Sequence, residues 1–143
     1  MKNVLCGLLL LLGLGVYGQD FKKLDAKDVN LKQVESCKKF ANDYFSKQLS
    51  GGYVFDKNEA TEELMNALTA DKQKDVYNQL KSAFGEFKSL EYAQTWVDNS
   101  SNLVLYRLKA VFGDANNLDI RVILNDKGLI AGFFVSPWTE DLQ

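Results

Sequence analysis

The sequence predicts an α+β fold: N-terminal helices packed on a four-stranded antiparallel sheet. Three observations predict it. Apolar residues recur every three or four positions from Leu31 to Phe84, then every second position from Phe87 to Val135. Clusters of Asn, Asp, Ser and Gly cut the second region into four pieces. The length of 143 residues allows one domain, and no proline-, glycine- or serine-rich linker, internal repeat or low-complexity run divides it.

Residues 1–19 read as a secretory signal peptide. Lys2 supplies the charged start, Val4–Leu14 the apolar core, and Val16 and Gly18 the small residues before a cut at Gln19. The apolar run is shorter than the roughly 20 residues a membrane span needs, so no span is expected after cleavage. An uncleaved anchor is the alternative. Cys6 lies too near the start of the apolar run to be a lipid-bearing cysteine.

Residues 20–30 are charged and without a period, and read as a loose lead-in. The first helix covers Leu31–Leu49, with Val34, Cys37, Ala41, Tyr44 and Phe45 on one side, and Ser50-Gly51-Gly52 ends it. A second helix is expected over Asp56–Leu68, burying Ala60, Leu64 and Leu68. Thr69 caps a third over Ala70–Phe84 that buries Val76, Leu80 and Phe84, and Gly85 ends it. The strands follow at Phe87–Val97, Leu103–Phe112, Leu118–Leu124 and Leu129–Val135. Asn125-Asp126-Lys127-Gly128 joins the last pair, with Gly128 at a positive-φ position. The domain proper is 31–137, and 138–143 is a tail.

Simple hairpins pair Trp96 with Val104, Tyr92 with Leu108, Leu108 with Val122 and Val122 with Gly132. This register puts Leu90, Tyr92, Gln94, Trp96, Tyr106, Leu108, Ile120, Val122, Ile130 and Phe134 on one nearly all-apolar face, where Gln94 is the strongly polar exception. The other face is mixed. It carries Glu91 opposite Lys109, together with Arg107, Asp119 and Arg121, and the apolar Leu103, Leu105, Phe133 and Val135.

Composition excludes several chemistries. There is no histidine, which removes the common general base, the Ser/His and Cys/His dyads and the commonest metal ligand. Cys37 has no partner for zinc or, once the leader is gone, for an internal disulfide, and reads as a small buried apolar residue. No phosphate-cradling glycine loop or dinucleotide fingerprint occurs, and no cofactor is expected. Asp114–Asp119 has oxygens at alternate positions but lacks the glycine and distal glutamate of a calcium loop. The net charge of −2, one unit more negative without Lys2, argues against nucleic acid and against an anionic membrane surface.

Two stretches carry a family resemblance. Leu80–Ser89 leads from helix to strand, and Asp119–Phe134 closes the sheet. Both look like the family catalogued as domain of unknown function 3887, within the nuclear-transport-factor-2-like (SnoaL-like, cystatin-like) cone folds. The similarity spans about Leu31 to Pro137. It implies a curved sheet wrapped by helices. It implies no catalytic residues, because the family has none agreed, and its members are often exported bacterial proteins.

Three functional readings follow. Gln94 flanked by Tyr92, Trp96 and Tyr106 would orient a small-molecule or peptide ligand inside the cone, unless these residues are ordinary core. Leu103, Leu105, Phe133 and Val135 on the outer face would form a homodimer interface. An isomerase or lyase would need a carboxylate in the cone, and the inner face offers none, leaving helix residues such as Asp43 or Glu63.

Overall fold

The computed structural model describes residues 12–13 and 20–142. The leader expected over 1–19, with Cys6, therefore lies outside the described residues except for Leu12 and Gly13. Helices α1 (Leu31–Ser46), α2 (Glu62–Ala67) and α3 (Ala70–Phe84) precede strands β3 (Phe87–Asp98), β4 (Leu103–Phe112), β5 (Asn116–Leu124) and β6 (Ile130–Pro137). The short strands β1 (Leu12–Gly13) and β2 (Lys22–Lys23) lie at the two edges, giving the order β1-β6-β5-β4-β3-β2 in an open antiparallel sheet. Among the described residues no helix is long and apolar enough to cross a membrane.

The α+β class is as expected, but the count of four strands is not. The segment read as a loose lead-in is pinned to the sheet: Lys22 and Lys23 pair with Val97 and Trp96, and the Leu24 amide donates to the Thr95 carbonyl at 2.9 Å. Two successive lysines on an edge strand carry no apolar alternation, so no period announced them.

Local chemistry explains the helix limits. The Asn30 carboxamide caps α1 by accepting from the amides of Lys32 and Gln33. Gly51, at φ 106°, turns the chain out of the short 3-10 stretch Lys47–Ser50 that follows α1. Thr69 caps α3 as expected. The second helix is shorter than Asp56–Leu68. Asp56 closes its own turn onto the amide of Asn58, while the Glu59 carbonyl and Thr61 amide bond to Ile130, so the chain runs beside β6 until Thr61 caps α2. Buried Gln73 holds this segment down by bonding both the amide and the carbonyl of Tyr53 and the carbonyl of Leu68. The α3–β3 junction is equally close. A Cβ on Gly85 would stand 2.6 Å from the Gly113 Cα, and both glycines have positive φ.

Three register shifts interrupt the sheet, at Lys88 and Ala93 in β3 and at Ala131 in β6, and the last two reverse the expected faces. In β3, Tyr92 pairs with Leu108 as expected, but Ala93 is then left over, so Gln94 pairs with Arg107 and Trp96 with Leu105, not Val104. In β6, Ala131 is left over between Ile130 and Gly132, so Val122 pairs with Phe133, not Gly132. Each extra residue turns all that follows to the other face. The β4–β5 pairing slides by two, with Leu108 opposite Ile120, because the turn holds three residues and β5 starts at Asn116. An even slide keeps the faces.

Under the helices the inner face is filled by rings. Phe133, with no exposed surface, sits 5.2, 4.8 and 6.0 Å from the ring centres of Phe40, Tyr44 and Phe45, and Phe45 packs on Phe87 and Phe112. The outer face holds a smaller apolar cluster of Leu103, Leu105, Ile123 and Phe134, against which Phe21, Trp96 and Leu142 pack.

Candidate functional site: the outer sheet face and the α1 cleft

The bulge at Ala93 splits the four residues expected to line one pocket. Tyr92 and Tyr106 stay on the inner side. Tyr92 shares a 2.7 Å hydrogen bond with Thr95, and the Tyr106 hydroxyl donates to Gln33 of α1 at 2.5 Å. Gln94 and Trp96 are on the outer side, where the Gln94 side-chain oxygen accepts from both the Trp96 indole and Arg107. The four expected interface residues divide likewise. Leu103 and Leu105 are outer-face residues already covered within the chain, whereas Phe133 and Val135 belong to the inner core. The bulge at Ala131 is the physical reason for that second reversal.

On the outer face the structure assembles what the sequence pattern scattered. Arg107 from β4 is completely buried. Its Nε donates to Asp119 Oδ2 at 2.9 Å. One terminal nitrogen donates to Gln94 and to the Glu140 carbonyl, both at 3.1 Å. The other donates to the Thr139 carbonyl and, at 3.3 Å, to the Thr139 hydroxyl. The Trp138 ring covers the guanidinium with 3.9 Å between Cζ and ring centre, and Lys109 approaches the same ring at 4.9 Å. Arg121 reaches Asp119 Oδ2 as well, at 3.0 and 3.1 Å.

Burying a guanidinium is costly unless its donors are matched, and here the C-terminal segment matches them. Asp119 is less evenly served. Oδ2 takes all three nitrogens, while Oδ1 is buried without a hydrogen-bond partner. The alternation of β4 and β5 placed Arg107, Asp119 and Arg121 together on the outer face. The part played by Trp138–Glu140 had no signal, because a six-residue tail has no period.

A second concavity opens at the mouth between α1 and the β5–β6 turn. It holds about 180 Å³ and is lined by Gln33, Ser36, Cys37, Glu59, Leu124 and Ile130, among others. Burial pushes the Cys37 thiol up to about 12, which keeps it protonated and unreactive at neutral pH. Glu59 is the acid here, accepting from the Tyr53 hydroxyl and, at 3.4 Å, the Asp56 amide. Asp43 pairs instead with Lys39 on the surface of α1, and Glu63 is exposed. Among the described residues no group of three or more acidic or cysteine side chains is placed to hold a metal ion. Comparison with protein-family models, curated proteins and solved structures finds no match to this chain.

Proposed function

We propose that the chain is an exported, non-catalytic binding domain of the nuclear-transport-factor-2-like cone class, and that it engages peptide segments on its sheet instead of enclosing a small molecule. The leader-like composition of residues 1–19 supports export. The stretches Leu80–Ser89 and Asp119–Phe134 support the cone class and the likeness to domain of unknown function 3887.

The observation that carries the reading is the filled interior. Phe40, Tyr44, Phe45, Phe112 and Phe133 interlock where a ligand would sit. The cleft between α1 and the β5–β6 turn, at about 180 Å³, is smaller than the roughly 300–1,000 Å³ typical of small-molecule sites. The outer face, by contrast, already holds main-chain carbonyls on Arg107. The apolar residues that motivated a homodimer are accounted for inside the subunit, so pairing is no longer needed to cover them.

Native mass spectrometry of the mature protein, purified from its own secretion route, tests the reading. The expected spectrum is the polypeptide mass, bare or carrying peptide. A stoichiometric small-molecule adduct would overturn it and point to the α1 cleft.

A further inference from the structure

We infer that the outer face carries a peptide-binding groove centred on Arg107, and that residues 138–142 are its built-in occupant. An extended peptide bearing an aromatic side chain followed by two main-chain carbonyls would replace them. This rests on the peptide-binding reading above and names its site and ligand chemistry.

Three observations converge. First, Arg107 recognises the tail through features any peptide can offer. It donates to the carbonyls of Thr139 and Glu140 and stacks under the Trp138 ring. The carbonyl contacts fix backbone position, and the ring between Arg107 and Lys109 selects an aromatic residue. Second, the tail is lightly held. Past Pro137, Trp138 makes one backbone bond to the sheet, from its amide to Asn117 O at 3.1 Å. Trp138, Thr139 and Leu142 are half-buried, and Glu140 and Asp141 are exposed. Segments with few buried apolar contacts open well below the cost of global unfolding. Third, Asp119 Oδ1 is buried with no partner although Asp119 itself has no exposed surface. It is an acceptor on the carboxylate that holds Arg107, and the resident tail leaves it unmatched.

A tethered tail competes at an effective concentration in the millimolar range. External peptide therefore binds weakly until the tail is loosened. The test uses the full-length chain and a fluorescent peptide, Trp-Thr-Glu-Asp-Leu-Gln, read by anisotropy. Trp138→Ala in the protein is expected to raise affinity for this peptide at least about 10-fold over the wild type. Replacing the peptide's own tryptophan by alanine is expected to lose about 10-fold, corresponding to the 1.4 kcal/mol of a tenfold change.

Absence of binding to the variant, or equal binding of both peptides, overturns the groove. Concentration-dependent dimerisation of the wild type with no gain in peptide binding would assign the groove to a second copy's tail and also overturn it. Hydrogen exchange on the wild type guards against a variant that fails to fold. Amides of residues 139–142 are expected to exchange by local opening, and exchange only through global unfolding would refute a replaceable occupant. A small-molecule adduct in the native mass spectrum sinks the broader reading, whereas failed peptide binding with a bare spectrum sinks this groove alone.

Discussion

Phe133 and Phe134 are neighbours in sequence and sit in different environments. Phe133 points under the helices and touches the rings of Phe40, Tyr44 and Phe45. Phe134 points the other way, into a thin cluster with Leu103, Leu105 and Ile123 whose partly buried neighbours are Phe21, Trp96 and Leu142. One side of the sheet is a buried ring-on-ring core. The other is a shallow apolar patch beside a buried ionic network that the C-terminal segment closes. The inner face is redundant, since each ring has several others to lean on. The outer face depends on one side chain, Arg107.

The largest expected effect tests which side is which. Phe133→Ala should cost about 3–5 kcal/mol in urea unfolding, because it empties a closed core. Phe134→Ala should cost about 1–3 kcal/mol, because the outer cluster is thin and its edge can collapse or hydrate. Uninterrupted alternation from Ile130 would place Phe134 inside and predicts the reverse order. Measured costs in that reverse order would remove the Ala131 bulge from the fold.

Next in size is the network itself. Arg107→Met leaves Asp119 with Arg121 as its remaining cation and strips the donor from the carbonyls of Thr139 and Glu140. Losing one partner of a buried pair costs about 3–5 kcal/mol, and the surviving Arg121 contact should bring this to the low end. Adding Asp119→Leu should restore much of the loss, since it removes the fully buried carboxylate left without Arg107, while Arg121 is partly exposed and can reach water. A double variant no more stable than Arg107→Met would mean that the guanidinium contributes through the tail and not through Asp119.

The sequence carried one face more clearly than the other for a definable reason. Helical spacing located α1 and α3, and Thr69 and Gly85 marked the limits of α3, because these signals are local. The long strands were legible from period two, and Gly128, at φ 78°, took the turn position its spacing implied. What period two cannot show is a change of phase. Ala93 and Ala131 are small enough to sit on either face, so nothing in their chemistry announces a bulge. Unbroken alternation therefore puts every residue beyond them on the wrong side: Gln94 and Trp96 on the inner face, Phe133 and Val135 on the outer. The Arg107–Asp119–Arg121 set lies on β4 and β5, between the bulged strands, and kept its true face. Its meaning still depended on the tail, which pairs with nothing periodic.

The smallest expected effect belongs to Cys37, on the core-facing side of α1. Burial raises its thiol to about 12 from the ordinary range near 9, so the folded chain resists ionisation that the unfolded chain undergoes. A group raised by folding contributes stability that is complete below its unfolded pKa and is lost as pH rises toward the folded one. Between about pH 9 and 10 the unfolded state releases this proton and the folded state does not, which removes about 1–2 kcal/mol by pH 10. Burial also raises Tyr44, Tyr53 and Tyr106, which adds a loss of the same sign at high pH, so the measurement is a difference. Urea unfolding at pH 8 and pH 10 is compared between the wild type and Cys37→Ala, and the wild type should lose more. Equal losses would mean that the thiol reaches water through the α1 cleft in the folded state. The cleft would then be open to water in the folded state, and the inner side would not be the sealed half of the sheet.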